Sequence, residues 1–170
     1  MFTKTDAELK KMGADITTRE IQQQSSLWKE TFKIYKEKKT EIDDFLAKIT
    51  KKFDKVKEIF TGAGTSAYVG NTVMPYLRKH GDRTKYDFEA IDTTKIVSTP
   101  EDYLEADTPT ILVSFARSGN SPESVATVEL AKQLVTNLYQ IAITCAPEGH
   151  LAQDLKDDPN GLVLLMPAKS

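Results

Sequence analysis

The sequence contains one cysteine, two histidines and no long apolar run, and each of these shortages excludes a class of protein. Cys145 alone cannot form an internal disulfide, or a zinc or iron–sulfur site that needs several thiolates. His80 and His150 do not lie at a spacing typical of metal ligands, so neither a metal nor another cofactor is expected. Neither a run of about 18 apolar residues nor an apolar signal segment is present, so we expect a cytoplasmic protein with no membrane partner.

The sequence also lacks a large excess of either positive or negative charge. The 170 residues include 23 Lys and Arg against 25 Asp and Glu, which gives a formal net charge of -2. This balance provides no strong field to attract a polyanion, so a nucleic-acid partner is not expected. With 39% hydrophobic and 28% charged residues, the composition is typical of a globular chain with one core.

The amino-terminal region has helical periodicity. Residues 17–53 contain no glycine or proline, and their apolar residues recur at intervals of three, four and seven. Thr17 and Glu20 have the spacing of a capping box, which predicts that the helix begins there. We therefore predict a helical arm over residues 1–53, whose apolar stripe covers either the sheet of the same chain or a second subunit. The stripe consists of Ile21, Trp28, Phe32, Tyr35, Ile42, Phe45 and Ile49.

Residues 54–170 alternate short apolar runs with turn residues and helical stretches, which is typical of an α/β domain. Five runs are predicted to be strands, and their starts are 30, 24, 28 and 23 residues apart, about the length of a βαβ unit. Several runs are continuously apolar, as in strands covered on both faces. We predict a doubly wound, flavodoxin-like three-layer α/β sandwich with five parallel strands in the order 2-1-3-4-5. The predicted strands are 56–61, 86–91, 110–115, 138–144 and 161–166, and the predicted crossover helices are 66–79, 100–106, 122–135 and 149–155.

The last predicted strand is followed only by residues 167–170, so no helix follows to cover it. An apolar strand at the edge of a sheet exposes unpaired backbone groups. We therefore expect that another chain covers this strand, or that the sequence is a piece of a longer protein.

The loops after the first and third predicted strands combine glycines with hydroxyl side chains. Residues 62–66 are Gly-Ala-Gly-Thr-Ser, and residues 117–121 are Arg-Ser-Gly-Asn-Ser. Each loop opens a predicted helix, where unpaired backbone amides and the positive end of the helix dipole attract an anion. In a 2-1-3-4-5 sheet both loops flank the topological switch point, so we predict that they hold one phosphate between them. The candidate phosphate-binding residues are Gly64, Thr65, Ser66, Arg117, Ser118, Gly119, Asn120 and Ser121.

Two of these residues have an alternative role. Ser121 precedes Pro122, so its hydroxyl can instead cap its own helix. Arg117 is either a surface cation or a guanidinium that faces the anion.

The first loop also matches a rival motif. Residues 62–67 have the form G-x-G-x-x-A of the dinucleotide-binding fingerprint. Such a site needs an acidic residue at the end of the second strand for the ribose, and Glu89 or Asp92 is in place for that role. A nucleotide-binding Rossmann-type domain therefore stays open as an alternative.

The two loops resemble the phosphate loops of the sugar isomerase (SIS) domain family, which binds phosphosugars. Residues 62–66 resemble its first loop, and residues 117–121 resemble its second, usually written Ser-x-Ser-Gly-x-Ser/Thr. The whole stretch 114–124, with residues 17–24 and Trp28 upstream and residues 165–168 downstream, resembles the AgaS-type proteins. These are tagatose-6-phosphate ketose/aldose isomerases or galactosamine-6-phosphate deaminase/isomerases. Ala116 stands where many members of the family have the first serine of the second loop.

The resemblance implies a phosphosugar-binding SIS domain over residues 54–170. AgaS-type proteins carry two SIS domains in tandem and act on tagatose 6-phosphate or galactosamine 6-phosphate in amino-sugar catabolism. This chain resembles the first of the two domains. The family's glutamate base and ring-opening histidine match no residue here, so we expect the catalytic base outside this chain. The resemblance also implies a homo-oligomer, either a dimer or a tetramer. The alternative within the same family is a noncatalytic module that senses a phosphosugar.

Overall fold

The computed structural model describes residues 2–168, in which five parallel strands form one sheet. The strand order is β2-β1-β3-β4-β5, as predicted. Every predicted strand matches an observed one to within one residue at each end. The strands are β1 Val56–Gly62, β2 Tyr86–Ala90, β3 Thr110–Ala116, β4 Leu138–Thr144 and β5 Gly161–Leu165.

Helices cover both faces of the sheet, which confirms the three-layer α/β fold. Within residues 2–168 the α-helices are α1 Asp6–Lys11, α2 Asp15–Lys52, α3 Ala67–His80, α4 Thr93–Ser98, α5 Pro122–Leu134 and α6 His150–Gln153. Helices α2 and α3 share one apolar core with the sheet, and α4, α5 and α6 share the other.

The central strand β3 shows why its sequence is continuously apolar. Ile111, Leu112 and Val113 are at most 2% exposed. Ile111 and Val113 belong to the core under α2 and α3, whereas Leu112 belongs to the core under α4, α5 and α6. Because successive side chains point to opposite faces and both faces are covered, no polar alternation develops.

Helix α2 has two unlike parts. It contains 38 residues and is therefore about 57 Å long. In its last turns Phe45 and Ile49 are buried against the sheet, and the Phe45 ring lies edge-on to Tyr139 with 6.3 Å between ring centroids. Its middle turns are not covered by the described chain, and there Trp28 and Phe32 are 67% and 57% exposed. Despite the length of α2, no helix within residues 2–168 is both long and apolar enough to span a membrane.

The predicted start of this helix is wrong. Helix α2 begins at Asp15 rather than Thr17, and its N-cap, Ala14, has no side chain that could form a capping bond. Gly13 has a φ of 63°, in the left-handed region that favours glycine, and it turns the chain from α1 into α2. The turn therefore sets the start of the helix, and Glu20 accepts a hydrogen bond from the Gln23 side chain instead of from a cap.

A capping box of the predicted form occurs one helix earlier. At the start of α1, the Thr5 hydroxyl accepts a hydrogen bond from the amide of Glu8, and the Glu8 carboxylate accepts one from the amide of Thr5. The same spacing thus occurs twice in the sequence, and only the first occurrence lies at a helix end.

The helix predicted over residues 100–106 is also wrong. The chain instead forms α4 at Thr93–Ser98, followed by a single 3-10 turn at Pro100–Asp102. Ile96 of α4 is fully buried in the core beneath α5. Six residues are too few to display a helical period, so tertiary packing selects the helical segment.

Polar side chains near the amino ends of the strands pair with one another. Lys57 of β1 is 8% exposed, and its Nζ lies 3.3 Å from Glu89 Oε2 and 3.4 Å from Glu105 Oε1. The same ammonium donates to the carbonyl oxygen of Tyr103 at 3.0 Å. A hydrogen bond from the Thr108 hydroxyl, together with the Lys57 charge, holds the pKa of Glu105 below its usual range. This cluster joins β1 to β2 and to the segment before β3.

The expected edge strand is present at the other end of the sheet. Among residues 2–168, β5 forms a ladder with β4 alone. Leu165, its last residue, is 41% exposed.

Candidate functional site

The carboxyl ends of β1 and β3 lie side by side. Gly62 pairs with Phe115 in the parallel register, so the loops that follow begin on neighbouring strands. The chain after β1 enters α3 on one face of the sheet, and the chain after β3 enters α5 on the other. This divergence is the topological switch point, where open α/β sheets bind ligands. We call residues 62–66 the first loop and residues 117–121 the second loop.

Glycines give the first loop its shape. A Cβ atom on Gly62 would lie 2.7 Å from the backbone carbon of Ser66, so the loop can fold back this tightly only over glycine. Gly64 has a φ of 55° and opens the 3-10 turn that leads into α3. Ser66 occupies the N-cap of α3 without a side-chain capping bond. Within residues 2–168, the hydroxyls of Thr65 and Ser66 therefore have no hydrogen-bond partner.

Two buried threonines support the first loop from the face of α4 and α5. Thr93 Oγ1 donates to the carbonyl oxygen of Gly62 at 3.1 Å. Thr127 Oγ1 lies 3.4 Å from the carbonyl oxygen of Thr93 and donates to that of Glu123 at 2.8 Å. The Thr93 and Gly62 positions are 31 residues apart, so no local pattern in the sequence predicts this support.

The second loop leaves its serine hydroxyls available. Gly119 has a φ of 67°, which bends the chain between the two serines. Ser118 Oγ accepts a hydrogen bond from the amide of Asn120 at 3.3 Å, and its O–H remains able to donate. Ser121 occupies the N-cap of α5 but makes no side-chain capping bond. The alternative in which the Ser121 hydroxyl serves its own helix is therefore not what the structure shows.

The two remaining side chains of the second loop differ in their partners. Arg117 is exposed and forms no ion pair with any residue of the described range 2–168, so its guanidinium can face an anion. Asn120 Oδ1 accepts a hydrogen bond at 2.9 Å from the amide of His150, at the start of α6. The oxygen of Asn120 is therefore bound within the protein, unlike the Ser121 hydroxyl.

The two loops carry the kinds of group that proteins use to bind small anions. Amides at the starts of α3 and α5 carry the positive ends of the helix dipoles, and hydroxyls and a guanidinium lie beside them. In the part of the chain that the structure describes, no group of three or more His, Cys, Asp or Glu side chains is placed to hold a metal ion. His80 lies at the opposite end of α3 from the first loop and packs at a tilt against Tyr76, with 4.7 Å between ring centroids.

Glu58 is a half-buried carboxyl that the sequence does not single out by any motif. Burial raises its pKa to about 7. It lies on β1 between Val56 and Phe60, on the face packed by α2 and α3, and makes no hydrogen bond or ion pair with the residues described. It precedes Gly62 by four residues, or about 13 Å of extended chain, so it does not reach the two loops. A charged residue inside an apolar run is the only signal that marks it.

Comparison with known proteins identifies the family. The SIS domain family matches residues 53–157, which include both loops. D-galactosamine-6-phosphate deaminase AgaS from Shewanella sp. (strain ANA-3) is 42% identical over 160 residues, covering 94% of this chain and 41% of that protein. The enzyme of the same name from Escherichia coli is 41% identical over 154 residues, covering 91% of this chain and 39% of that protein.

A solved structure agrees with these relatives. Tagatose-6-phosphate ketose/aldose isomerase from Escherichia coli superposes with a TM-score of 0.82 at 39% identity, covering 90% of this chain and 41% of that one. The chain thus spans about two fifths of the length of the relatives it matches. Since the family match extends over more than half of the sequence, the chain belongs to the SIS domain family.

Proposed function

We propose that this chain binds a sugar phosphate as the amino-terminal SIS domain of a ketose/aldose isomerase or deaminase. The observation that carries the proposal is the pairing of β1 with β3, which places two hydroxyl-bearing loops at the ends of neighbouring strands. The hydroxyls of Ser66 and Ser121 lack partners in the described chain, so both can donate to phosphate oxygens.

We propose galactosamine 6-phosphate or tagatose 6-phosphate as the substrate, because these are the sugars in the names of the relatives. We propose that Gly64, Thr65, Ser66, Arg117, Ser118, Gly119 and Ser121 hold the phosphate and so fix the position of the reacting carbons. In the complete enzyme the ring opens, a proton moves between C1 and C2, and the deaminase reaction then releases ammonia by hydrolysis. A base with a suitable pKa must carry the proton, and we place it outside this chain.

Calorimetry on the 170-residue chain with galactosamine 6-phosphate tests the site. The double variant Ser118→Ala with Ser121→Ala should weaken binding by about 1 to 3 kcal/mol, because hydrogen bonds to a charged group are lost. A matched control is Ser25→Ala with Ser26→Ala on the exposed part of α2, which should leave the affinity unchanged. Galactosamine without its phosphate should not compete. An affinity that the double variant at the second loop does not alter would contradict the proposal.

A noncatalytic sensing module is the second candidate, and it is favoured by the lack of any residue here that matches the family's proton-transferring glutamate. The test is to incubate the chain with galactosamine 6-phosphate and to measure ammonia and ketose. Binding with turnover supports a complete site, whereas binding without turnover supports the module. Saturable binding of NAD, with no response to sugar phosphates, would instead favour the dinucleotide alternative. Against that alternative, Glu89 is already paired with Lys57 at 3.3 Å.

We also propose that the protein is a cytoplasmic homo-oligomer, a dimer or a tetramer. The support is the row of exposed apolar side chains on α2, since water-exposed aromatic stripes are typical of interaction faces. Light scattering of the wild type and of Trp28→Glu with Phe32→Glu measures this, and the variant should have the lower mass. A wild-type chain that remains a monomer at high concentration would contradict it. The exposed residues of the stripe are Ile21, Trp28, Phe32 and Tyr35.

A further inference from the structure

The segment that joins β4 to α6 supports the second loop through hydrogen bonds. Thr144 Oγ1 donates to the carbonyl oxygen of Arg117 at 3.2 Å, and the amide of Cys145 donates to the same oxygen at 3.2 Å. Thr144 Oγ1 also accepts from the amide of Ala146 at 3.3 Å. With 1% of its surface exposed, Thr144 therefore links the second loop to the end of β4 from the protein interior.

A second set of contacts joins the loop to the start of α6. The N-cap of α6 is Gly149, which has no side chain to cap the helix. A Cβ atom there would lie 2.2 Å from the carbonyl oxygen of Ser118, so the close approach of the two segments excludes any other residue. The second loop supplies the missing acceptors, because Asn120 Oδ1 accepts from the amide of His150 at 2.9 Å. The carbonyl oxygen of Gly119 accepts from the amide of Leu151 at 3.2 Å.

We infer that Asn120 and Thr144 are positioning residues, which set the shape of the second loop so that its serines can bind phosphate. Asn120 thus acts through its bond to α6 and not as a phosphate ligand. The contact works in both directions, since the loop caps α6 while α6 holds the loop. Hydrogen-bond donors that must converge on one anion tolerate little displacement, so a loop without these supports should bind more weakly. This inference rests on the proposed function.

Substitutions of Thr144 separate positioning from general stability. Thr144→Val removes the hydroxyl at nearly constant volume, and Thr144→Ser keeps it. We expect Thr144→Val to raise the Kd for galactosamine 6-phosphate by about tenfold and Thr144→Ser by no more than about twofold. The matched control is Thr110→Val, because Thr110 is also fully buried and donates to a main-chain carbonyl, that of Thr108, at the opposite end of the sheet. It should lower the melting temperature as much as Thr144→Val does, with an unchanged Kd.

Hydrogen exchange on Asn120→Ala tests the second contact directly. The amides of His150 and Leu151 should exchange faster in the variant than in the wild type, and galactosamine 6-phosphate should slow their exchange in the wild type alone. The Kd should rise by about fivefold or more.

The outcomes distinguish this inference from the proposed function. If serine-dependent binding is present but Thr144→Val and Asn120→Ala bind as tightly as the wild type, the positioning role is overturned. If the wild type does not bind the sugar phosphate, the proposed function fails first. Unchanged exchange at His150 and Leu151 in Asn120→Ala would overturn the capping contact in either case.

Discussion

The amino and carboxyl ends of the strands use polar side chains in opposite ways. Near the amino ends, Lys57 is paired with two carboxylates and a main-chain carbonyl, and Thr110 donates to the carbonyl oxygen of Thr108. At the carboxyl ends, the hydroxyls of Ser66 and Ser121 have no partner among residues 2–168. Both regions lie on the same sheet and within a few residues of the same buried cores.

This contrast separates stability from binding. Pairing a buried polar group supports stability, because leaving it unpaired lowers the free energy of unfolding. Hydroxyls at a helix start that are only half-buried can still bond to water and remain available to a ligand. Substitutions near the amino ends should therefore change stability and leave ligand affinity alone, and substitutions of the loop serines should do the reverse.

The largest expected effect is on the amino side, from Lys57→Met. In the variant the carbonyl oxygen of Tyr103 loses its donor, and Glu89 and Glu105 lose their cation. The free energy of unfolding, measured with urea, should therefore fall by about 2 kcal/mol. The Kd for galactosamine 6-phosphate should not change. Lys55→Met is the control, since Lys55 is exposed and has no bonded partner in the described chain; its stability should stay within about 0.5 kcal/mol of the wild type. A Kd that rises in Lys57→Met but not in Lys55→Met would contradict the separation of stability from binding.

Glu58→Gln is expected to change the free energy of unfolding by a smaller amount and to increase it. Burial raises the pKa of Glu58 to about 7 from a usual value of 4.5. Between these two pH values the folded chain keeps a proton that the unfolded chain releases, so the carboxyl lowers stability increasingly as the pH rises and fully above pH 7 or so. We expect Glu58→Gln to add about 1 to 2 kcal/mol to the free energy of unfolding at pH 8 and almost nothing near pH 4.5.

Chemical denaturation of both proteins at several pH values measures this difference, and each pH provides its own wild-type control. A gain that is the same at pH 8 and at pH 4.5 would show that the effect is not due to ionisation of Glu58. Since Glu58 lies in the amino half of β1, ligand affinity should again be unaffected.

The smallest expected change in stability is that of Ser121→Ala on the carboxyl side. Replacing a serine N-cap by alanine commonly costs about 1 kcal/mol because a capping hydrogen bond is lost. Ser121 makes no such bond, so the free energy of unfolding should fall by no more than about 0.3 kcal/mol, while the Kd for galactosamine 6-phosphate rises. The sharpest control is Thr5→Ala, whose hydroxyl does cap α1. Equal losses of stability in the two variants would contradict the assignment.

The sequence predicts those features of the structure that depend on neighbouring residues, and it does not predict contacts between residues far apart in the chain. The β3 run over Ile111, Leu112 and Val113 identifies a strand buried on both faces because burial and strand period act on consecutive residues. The two glycine and hydroxyl loops are equally local, and they follow β1 and β3 as the sequence predicts. The contact of Asn120 with His150 is not local, since 30 residues separate them. From the sequence alone Asn120 is simply one more polar residue of a phosphate loop.

The start of a helix is also not determined by the local sequence pattern alone. Thr5 with Glu8, and Thr17 with Glu20, have identical spacing, but only the first pair caps a helix. What decides between them is the turn at Gly13, whose φ of 63° lets the chain turn from α1 into α2.

The order of apolar runs and turns along the chain determined the strands, the three layers and the two loops of this SIS domain, because periodicity and burial are written in neighbouring residues. Tertiary structure alone decided which polar atoms remain available. Thr93 and Thr144 became supports, and Asn120 became a cap, only when strands that are distant in sequence were paired in one sheet. Each hydrogen-bonding atom has few positions for a partner, so the partners that folding supplies determine which atoms are left for a ligand.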